Sequence, residues 1–513
     1  MPSPLVLIVG AGPTGMTLAL ELKRFGLDVR LIDKATHMAQ HSQALVVQAR
    51  TLEQFQRYGI AEEAVRRGRK LNRAKLWSEG KEIVDITLDQ IPGRYPYLLF
   101  LPQSETEAIL NHAMEAAGLK AERGTELLRI QQIPFQQDGC SVSARLRHPD
   151  GGEEQVTPRW VIGCDGAHST VRQQSGIPFQ GGGIDLNFFL GDLELEGPDV
   201  PDDALSVHLH QGDVVFMGRL SDRLTRVIVA LHGVAMNETK ELTLADFQQA
   251  IDRSGVRVRA VSSDWMTPFR VSDRQAERYR LGCLFLAGDA SHIHSPVGGQ
   301  GMNTGIQDAA NLAWKLAAVA RGAEDSLLDS YDEERGAVGK QLLSFTERGL
   351  KLATNANPLV EGLRDALAPL LTSLKPVQKA AAGFISETAI EYRSSSIVAD
   401  HGGDGSLRAG DRMPDLATSA SAAGLLADWR DARHLAVALN ASEDELSELR
   451  NALAHADVVP LSSSTLDDAA RHQTGSGSKL MIVRPDGYLG FRGSLDGTKG
   501  WREYARQDAL LLS

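Results

Sequence analysis

Two glycine-rich turns carry the residues of this sequence best suited to chemistry, and each follows an apolar run. In the first, PLVLIVG passes into GAGPTG, with Gly10, Gly12 and Gly15 spaced for a tight turn, a close approach to pyrophosphate and a helix packed on a strand. Pro13 and Thr14 open that helix, whose first N–H groups lack partners and attract an anion. DVRLID then reads as a second strand ending at Asp33, beside Lys34, where an acid can accept hydrogen bonds from an adenosine ribose. This turn alone does not separate FAD from NAD(P).

In the second turn, RYRLGCLFLAGD leads into GDASHIHSPVGGQGMN, just ahead of an amphipathic helix starting near Met302. Asp289 can accept from a polyol, and Gly299 and Gly301 let a flat ring lie against peptide. The helix start at Gln300, Gly301, Met302 and Asn303 can stabilise negative charge on a reduced ring. A dinucleotide with a polyol and such a ring is FAD. His292 and His294 lack the further ligands of a metal site, so no metal is expected.

The elements that must hold these turns are legible around them. RWVIGCDGAHSTVR reads as strand, turn at Asp165-Gly166, and a helix capped by Ser169 with Arg172 near its end. Short alternating runs between 179 and 280 predict an antiparallel sheet. Period two sets Ser206, His208 and His210 on one face of a strand, as ligands for a phenol oxygen or as a solvated polar face. Phe216, Met217, Arg219 and Phe269 are further substrate candidates. Helices fill 321–400. From 408 a new unit begins, with strand HLAVALN, a helix capped by Ser442, and a hairpin turning at Pro485-Asp486-Gly487.

These motifs resemble the FAD-dependent aromatic hydroxylases, the single-component flavoprotein monooxygenases, most closely through GDASHIHSPVGGQGMNTGIQDAANLAWKLA and GAGPTG. The resemblance implies FAD, NADPH or NADH as electron donor, O2 as co-substrate, and hydroxylation of a phenolic or polycyclic aromatic compound through a flavin C4a-hydroperoxide. It adds Gln103, Leu127, Asp165, Gly166, Arg172 and Arg50 as cofactor contacts; Pro296, which fixes its turn, and His294 and His210, with a structural role as their alternative, are candidates at the reacting edge. Gln43 stands where the family often has arginine, and a neutral amide binds anions less strongly.

The expected fold is α/β. A Rossmann-like FAD-binding domain with a helical extension spans 1–178 and 281–400, and an inserted antiparallel β-sheet substrate domain spans 179–280. A C-terminal thioredoxin-like domain spans 408–513; no cysteine follows Cys283, so it lacks a CxxC pair. The rival activities are a flavin reductase or dehydrogenase of the same fold, and a flavoprotein that sequesters an aromatic compound.

Composition narrows the partners. With 66 acidic against 54 basic residues the net charge is -12, which repels nucleic acid. No apolar run reaches the length of a membrane span, and three scattered cysteines suit reduced thiols in a cytoplasm. A small aromatic or polyketide-like substrate is the expected partner, with a homodimer as the default assembly.

Overall fold

The computed structural model describes residues 5–39, 44–135, 139–232, 242–295, 299–354, 357–372, 374–416, 429, 432–495 and 500–507. Gln43 and Pro296 lie outside them. Val6–Val9 is buried throughout, as a central strand covered on both faces must be. It pairs in parallel with Val29–Asp33 on one side and Trp160–Gly163 on the other, and Trp160–Gly163 pairs in parallel with Leu284–Leu286. The turns after Val9, Gly163 and Leu286 therefore meet at one end of this sheet, where open α/β sheets place ligands. Two helices that follow these turns, Pro13–Arg24 and Gly301–Ala320, pack on each other.

A second sheet of eight strands runs in the order His292–Ile293, Arg259–Ala276, Phe179–Glu196, Leu224–Leu231, Asp213–Arg219, Ala204–His210, Arg73–Ser78, Lys81–Thr87. It is antiparallel as expected, except where Ala204–His210 lies parallel to Arg73–Ser78. The sheet thus reaches beyond 179–280. The strands at 73–87 are rich in charge and half-exposed, so they carry little alternation to betray them.

One face of this sheet buries Val215, Met217, Val227 and Val229 against Phe247 and Ile251 of the helix Leu244–Arg253. That helix starts at a reciprocal cap between Thr243 and Asp246.

The C-terminal unit is a five-stranded sheet in the order Ala399–Asp400, Leu489–Gly493, Lys479–Val483, His434–Leu439, Ala456–Leu461. His434–Leu439 and Ala456–Leu461 are parallel and joined through the helix Glu443–Ala452, which the expected Ser442 caps together with Glu445. The hairpin turning at Pro485-Asp486-Gly487 does not stay within its own unit. Arg484 reaches Glu334 of the helix Asp329–Ala353 through two bonds of 2.6 and 2.9 Å. Asp486 accepts from Asn311 at 3.1 Å and from the Trp314 indole at 3.3 Å, both on the Gly301 helix.

Lys315 completes this fully buried cluster, 2.8 Å from Glu334. Burial pushes the Lys315 ammonium down to about 8, against the pull of Glu334. Burial also opposes the Glu334 charge, but Arg484 and Lys315 outweigh it and hold that carboxyl well below its ordinary range.

Among the cysteines, Cys164 is a free thiol, while Cys283 is disulfide-bonded, which departs from three reduced thiols. No helix among the described residues is long and apolar enough to cross a membrane.

Candidate functional site

A cavity of about 410 Å³ opens where the two glycine turns meet the second sheet. That size is within the range of small-molecule sites. Gly12, Pro13, Thr14, Gly166 and Asp289 supply one part of its wall, and Gly299, Gln300, Gly301 and Met302 continue it. Opposite chemistry comes from the sheet and its neighbours: Leu205, Phe216, Ile228, Leu98, Phe100 and Ile385.

The first turn has little freedom. Gly10 has φ 104°, and a Cβ there would overlap the Cys164 carbonyl. Gly305, one turn into the Gly301 helix, leaves no space for a Cβ beside the Thr14 hydroxyl, so the two helices touch through Thr14. By contrast a Cβ on Gly12 or Gly166 would meet nothing within 4 Å, so backbone at both positions faces open space. Asp33 holds the turn from below. One of its oxygens accepts from the Ala11 N–H at 2.7 Å and lies 3.3 Å from Arg123, which itself donates to the Ala11 carbonyl at 3.1 Å. Arg123 escaped sequence reasoning because nothing local links it to a strand so distant in the chain. Lys34 is exposed.

The second turn presents unmet polar groups to the cavity. Asp289 is open to it, and no hydrogen bond among the described residues reaches its carboxylate. The protein around the cavity desolvates that carboxyl and raises it above its usual range, with His292 opposing and Asp308 adding. His292 is committed elsewhere, 2.9 Å from Asp308, which also accepts from Arg335 at 2.6 Å and from the Gly288 N–H at 2.9 Å.

His294 lines the cavity with Nδ1 2.8 Å from the Ser295 carbonyl. A carbonyl only accepts, so Nδ1 bears the proton and Nε2, buried without a partner, is a free acceptor. Burial lowers this imidazole to about 4, aided by His292.

A carboxylate without donors, open backbone at Gly12 and Gly166, and a helix start form the complement of a flavin dinucleotide: polyol hydroxyls, pyrophosphate and an electron-rich ring. The residues present fit FAD.

Several expected contacts are placed differently. Arg50 points away from the cavity; it donates to the Asp486 carbonyl at 2.5 Å and to Glu53 at 2.8 Å, and lies over the Tyr488 ring. The C-terminal hairpin claims it, through a docking that local motifs do not reveal. Asp165 caps a helix instead of offering its carboxylate: one oxygen accepts from the Thr170 N–H at 2.6 Å, and the other is buried without a partner. Arg172 ties that helix to the Ala290 carbonyl at 2.9 Å. The Asn303 side chain bridges Val46 and Gly299 carbonyls at 2.8 Å each and accepts from the Gln48 N–H, so only its backbone remains for a ring. Gln103 lines the cavity and donates to Glu107 at 2.8 Å. Leu127 is a buried strand residue outside the cavity wall.

On the sheet, the histidine face turns the wrong way. Ser206 and His208 are buried on the side packed under Phe247, whereas Leu205, on the alternate face, reaches the cavity. Alternation defines two faces but not which one meets the ligand. His208 stacks on Trp77, and burial lowers it from 6.5 to about 4 against the attraction of Asp199. His210 pairs with Glu79 at 2.7 Å. Arg219 donates to the Pro201 and Asp222 carbonyls at 3.0 and 2.8 Å, fixing a turn. Phe216 lines the cavity, and Met217 borders it although its side chain packs in the cluster under Phe247; Phe269 packs on Phe188 outside its wall. A residue that pattern reading missed is Arg226, a cavity-lining cation clasped by Asp192 at 2.9 Å and lying over Trp265.

His208 has a testable consequence. Its neutral folded form refuses a proton that the unfolded chain takes below pH 6.5, so stability falls as pH drops from 6.5 to about 4. The expected slope from this group is about 1.4 kcal/mol per pH unit. His208→Phe, which keeps the stack on Trp77, should flatten thermal stability across that window; an unchanged slope would assign the acid sensitivity elsewhere.

A profile described as the FAD binding domain matches residues 4–346. The chain is 34% identical over 512 residues to pentachlorophenol 4-monooxygenase of Sphingobium chlorophenolicum, covering 98% of this chain and 92% of the relative. It is 35% identical over 530 residues to 6-methylpretetramide 4-monooxygenase of Streptomyces rimosus, covering 96% and 92%. The anhydrotetracycline hydroxylase OxyS from Streptomyces rimosus superposes with a TM-score of 0.81 at 29% identity, over 100% of both chains. Joined to a cavity built for a flavin dinucleotide, these likenesses identify the chain as a member of the FAD-dependent aromatic monooxygenases.

Proposed function

We propose that this enzyme hydroxylates a phenolic or polycyclic aromatic substrate, with NADPH or NADH as electron donor and O2 as co-substrate. The observation that carries the reading is a single cavity with two chemistries: glycine backbone, Asp289 and a helix start along one part, and Leu205, Phe216 and Ile228 along another. Relatives named for oxidising a chlorinated phenol and tetracycline-type polyketides support an aromatic substrate. FAD, when bound, supplies the redox chemistry and the activation of oxygen.

The chain's own residues bind, orient and keep the site dry. The backbone at Gly12 and the start of the Gly301 helix take the anionic parts of the cofactor, and Asp289 accepts from its polyol. The apolar sheet face stacks the aromatic substrate and excludes water. His294 Nε2 offers an acceptor for a phenol O–H, and the Arg226–Asp192 pair offers an orienting charge at the cavity wall.

We read the C-terminal unit as thioredoxin-like, supported by its order of strand, helix, strand, helix, hairpin and helix. Without paired cysteines it serves as a brace. We assign the substrate-facing unit to 179–280, with the strands at 73–87 and His292–Ile293 extending its sheet.

The test is NADPH oxidation with a panel of phenols, with and without O2, followed by mass analysis. A product heavier by one oxygen atom supports the proposal; reduction without oxygen demand, or no substrate-dependent turnover, overturns it. Ile228→Trp narrows the apolar part alone. It should leave FAD bound and raise KM for a bulky aromatic on the order of tenfold or more, read by flavin absorbance and steady-state kinetics.

A further inference from the structure

A smaller cavity of about 70 Å³ also touches the Gly301 helix, lined by Gln300, Thr304, Gln341, Phe384 and Glu387 among others. Gln300 belongs to the walls of both cavities. Glu387 is 3% exposed and sits at φ 58° just beyond the helix Lys375–Ile385. One of its carboxyl oxygens accepts from the Thr304 hydroxyl at 3.2 Å, and the other from the Gln307 amide. Both partners lie in the first two turns of the Gly301 helix.

The charged groups around Glu387 are few. Asp308 faces it from the Gly301 helix and Arg335 from the helix Asp329–Ala353, already spent on Asp308 at 2.6 Å and on the Tyr392 hydroxyl at 2.8 Å. Arg412 donates to the neighbouring Thr388 carbonyl at 3.4 Å and is paired with Glu53 at 2.8 Å. Burial outweighs Arg335 and the two hydrogen bonds, pushing the Glu387 carboxyl up to about 8. Beside it, Gln300 Oε1 and Gln307 Oε1 are buried acceptors without a partner. A protonated carboxyl brings one O–H donor to this acceptor-rich wall, and the small cavity has room for a water.

We propose that Glu387 is a positioning residue for the flavin: its carboxyl group, fastened to the first turns of the Gly301 helix, sets the electrostatic potential that the helix start presents to the reduced ring. The proposal rests on the ring meeting that helix start. Protonated Glu387 leaves the positive end of the helix unopposed. Ionised, it places a full negative charge behind Thr304 and disfavours a ring carrying extra electron density.

The test is the midpoint potential of the FAD-loaded protein titrated across pH 8, for wild type, Glu387→Gln and Met302→Asp. Wild type should show an added fall above pH 8, approaching a tenfold shift in the redox equilibrium, or about 30 mV for a two-electron couple. Glu387→Gln should match wild type at lower pH and lack that fall. Met302→Asp, which puts a carboxylate at the helix start, should lower the potential at every pH. If Met302→Asp acts but wild type and Glu387→Gln stay superimposed, the role of Glu387 is refuted while the cofactor's position stands. If Met302→Asp has no effect, the ring lies elsewhere and both fail.

A second readout needs no cofactor. With its folded value raised, Glu387 contributes full stability only below 4.5 and loses it as pH rises through about 8. Cofactor-free Glu387→Gln should therefore gain thermal stability over wild type across that interval. A constant difference at all pH values would also overturn the proposal.

Discussion

Arg484→Ala is expected to cost about 3–5 kcal/mol of folding stability, because it leaves Glu334 and Asp486 buried with too little positive charge. Arg484 is fully buried, makes two bonds to Glu334 and also donates to Asp486 at 3.1 Å. Lys315, with Arg50 coupled to Asp486, would then have to balance two buried carboxylates. The damage should reach the cofactor as well. Asn311, Trp314 and Lys315 belong to the helix whose first residues line the flavin cavity, so loosening its later turns should weaken FAD retention. Denaturant unfolding and flavin release on gel filtration measure the two effects. Replacing Arg484, Glu334, Asp486 and Lys315 together by apolar residues of matching volume should restore much of the stability. A single Arg484→Ala as stable as wild type would mean that the cluster does not brace the fold.

Asp289→Ala should weaken FAD binding on the order of 10- to 100-fold, the loss of about 1.5–3 kcal/mol carried by hydrogen bonds to a charged group. The same substitution should stabilise the cofactor-free protein. Burial raises the Asp289 carboxyl and no donor among the described residues relieves it, so in the absence of ligand its charge is a cost. Opposite signs for affinity and stability mark a residue kept for binding. Isothermal titration with FAD and thermal denaturation of the apoprotein provide the two measurements. A variant that loses both affinity and stability would instead make Asp289 a structural residue.

The contrast between these two residues shows what a single sequence reveals. Asp289 was legible because its partners are local: strand end, glycine loop and helix start follow one another within a short stretch, and each has its own signature. The same holds for Gly10, Gly12, Ser169 and the Pro485-Asp486-Gly487 turn. Arg484 and Arg50 were not legible as partners, since Asp486 joins them only after the C-terminal unit docks. Asn303 stands at the expected helix start, and what the sequence did not show is that its amide is spent on Val46, Gly299 and Gln48, leaving its backbone for a ring. For the strand Ala204–His210 the period-two pattern was sound, yet histidine chemistry pointed to the face that packs under a helix. Which face meets a ligand depends on what covers the other. The covering helix, Leu244–Arg253, is announced by its own cap and amphipathicity, neither of which says where it packs.

The distance along the chain between Lys315 and Arg484 also governs how the protein comes into being. A polypeptide leaving the ribosome presents both halves of the flavin cradle well before the last hairpin is made. Until then Lys315 and Glu334 belong to a surface awaiting its cover, and the Gly301 helix lacks its outer support. Maturation is therefore gated by the final stretch of translation: chains stopped short of the hairpin should be captured by chaperones or aggregate, and should stay colourless even where FAD is abundant.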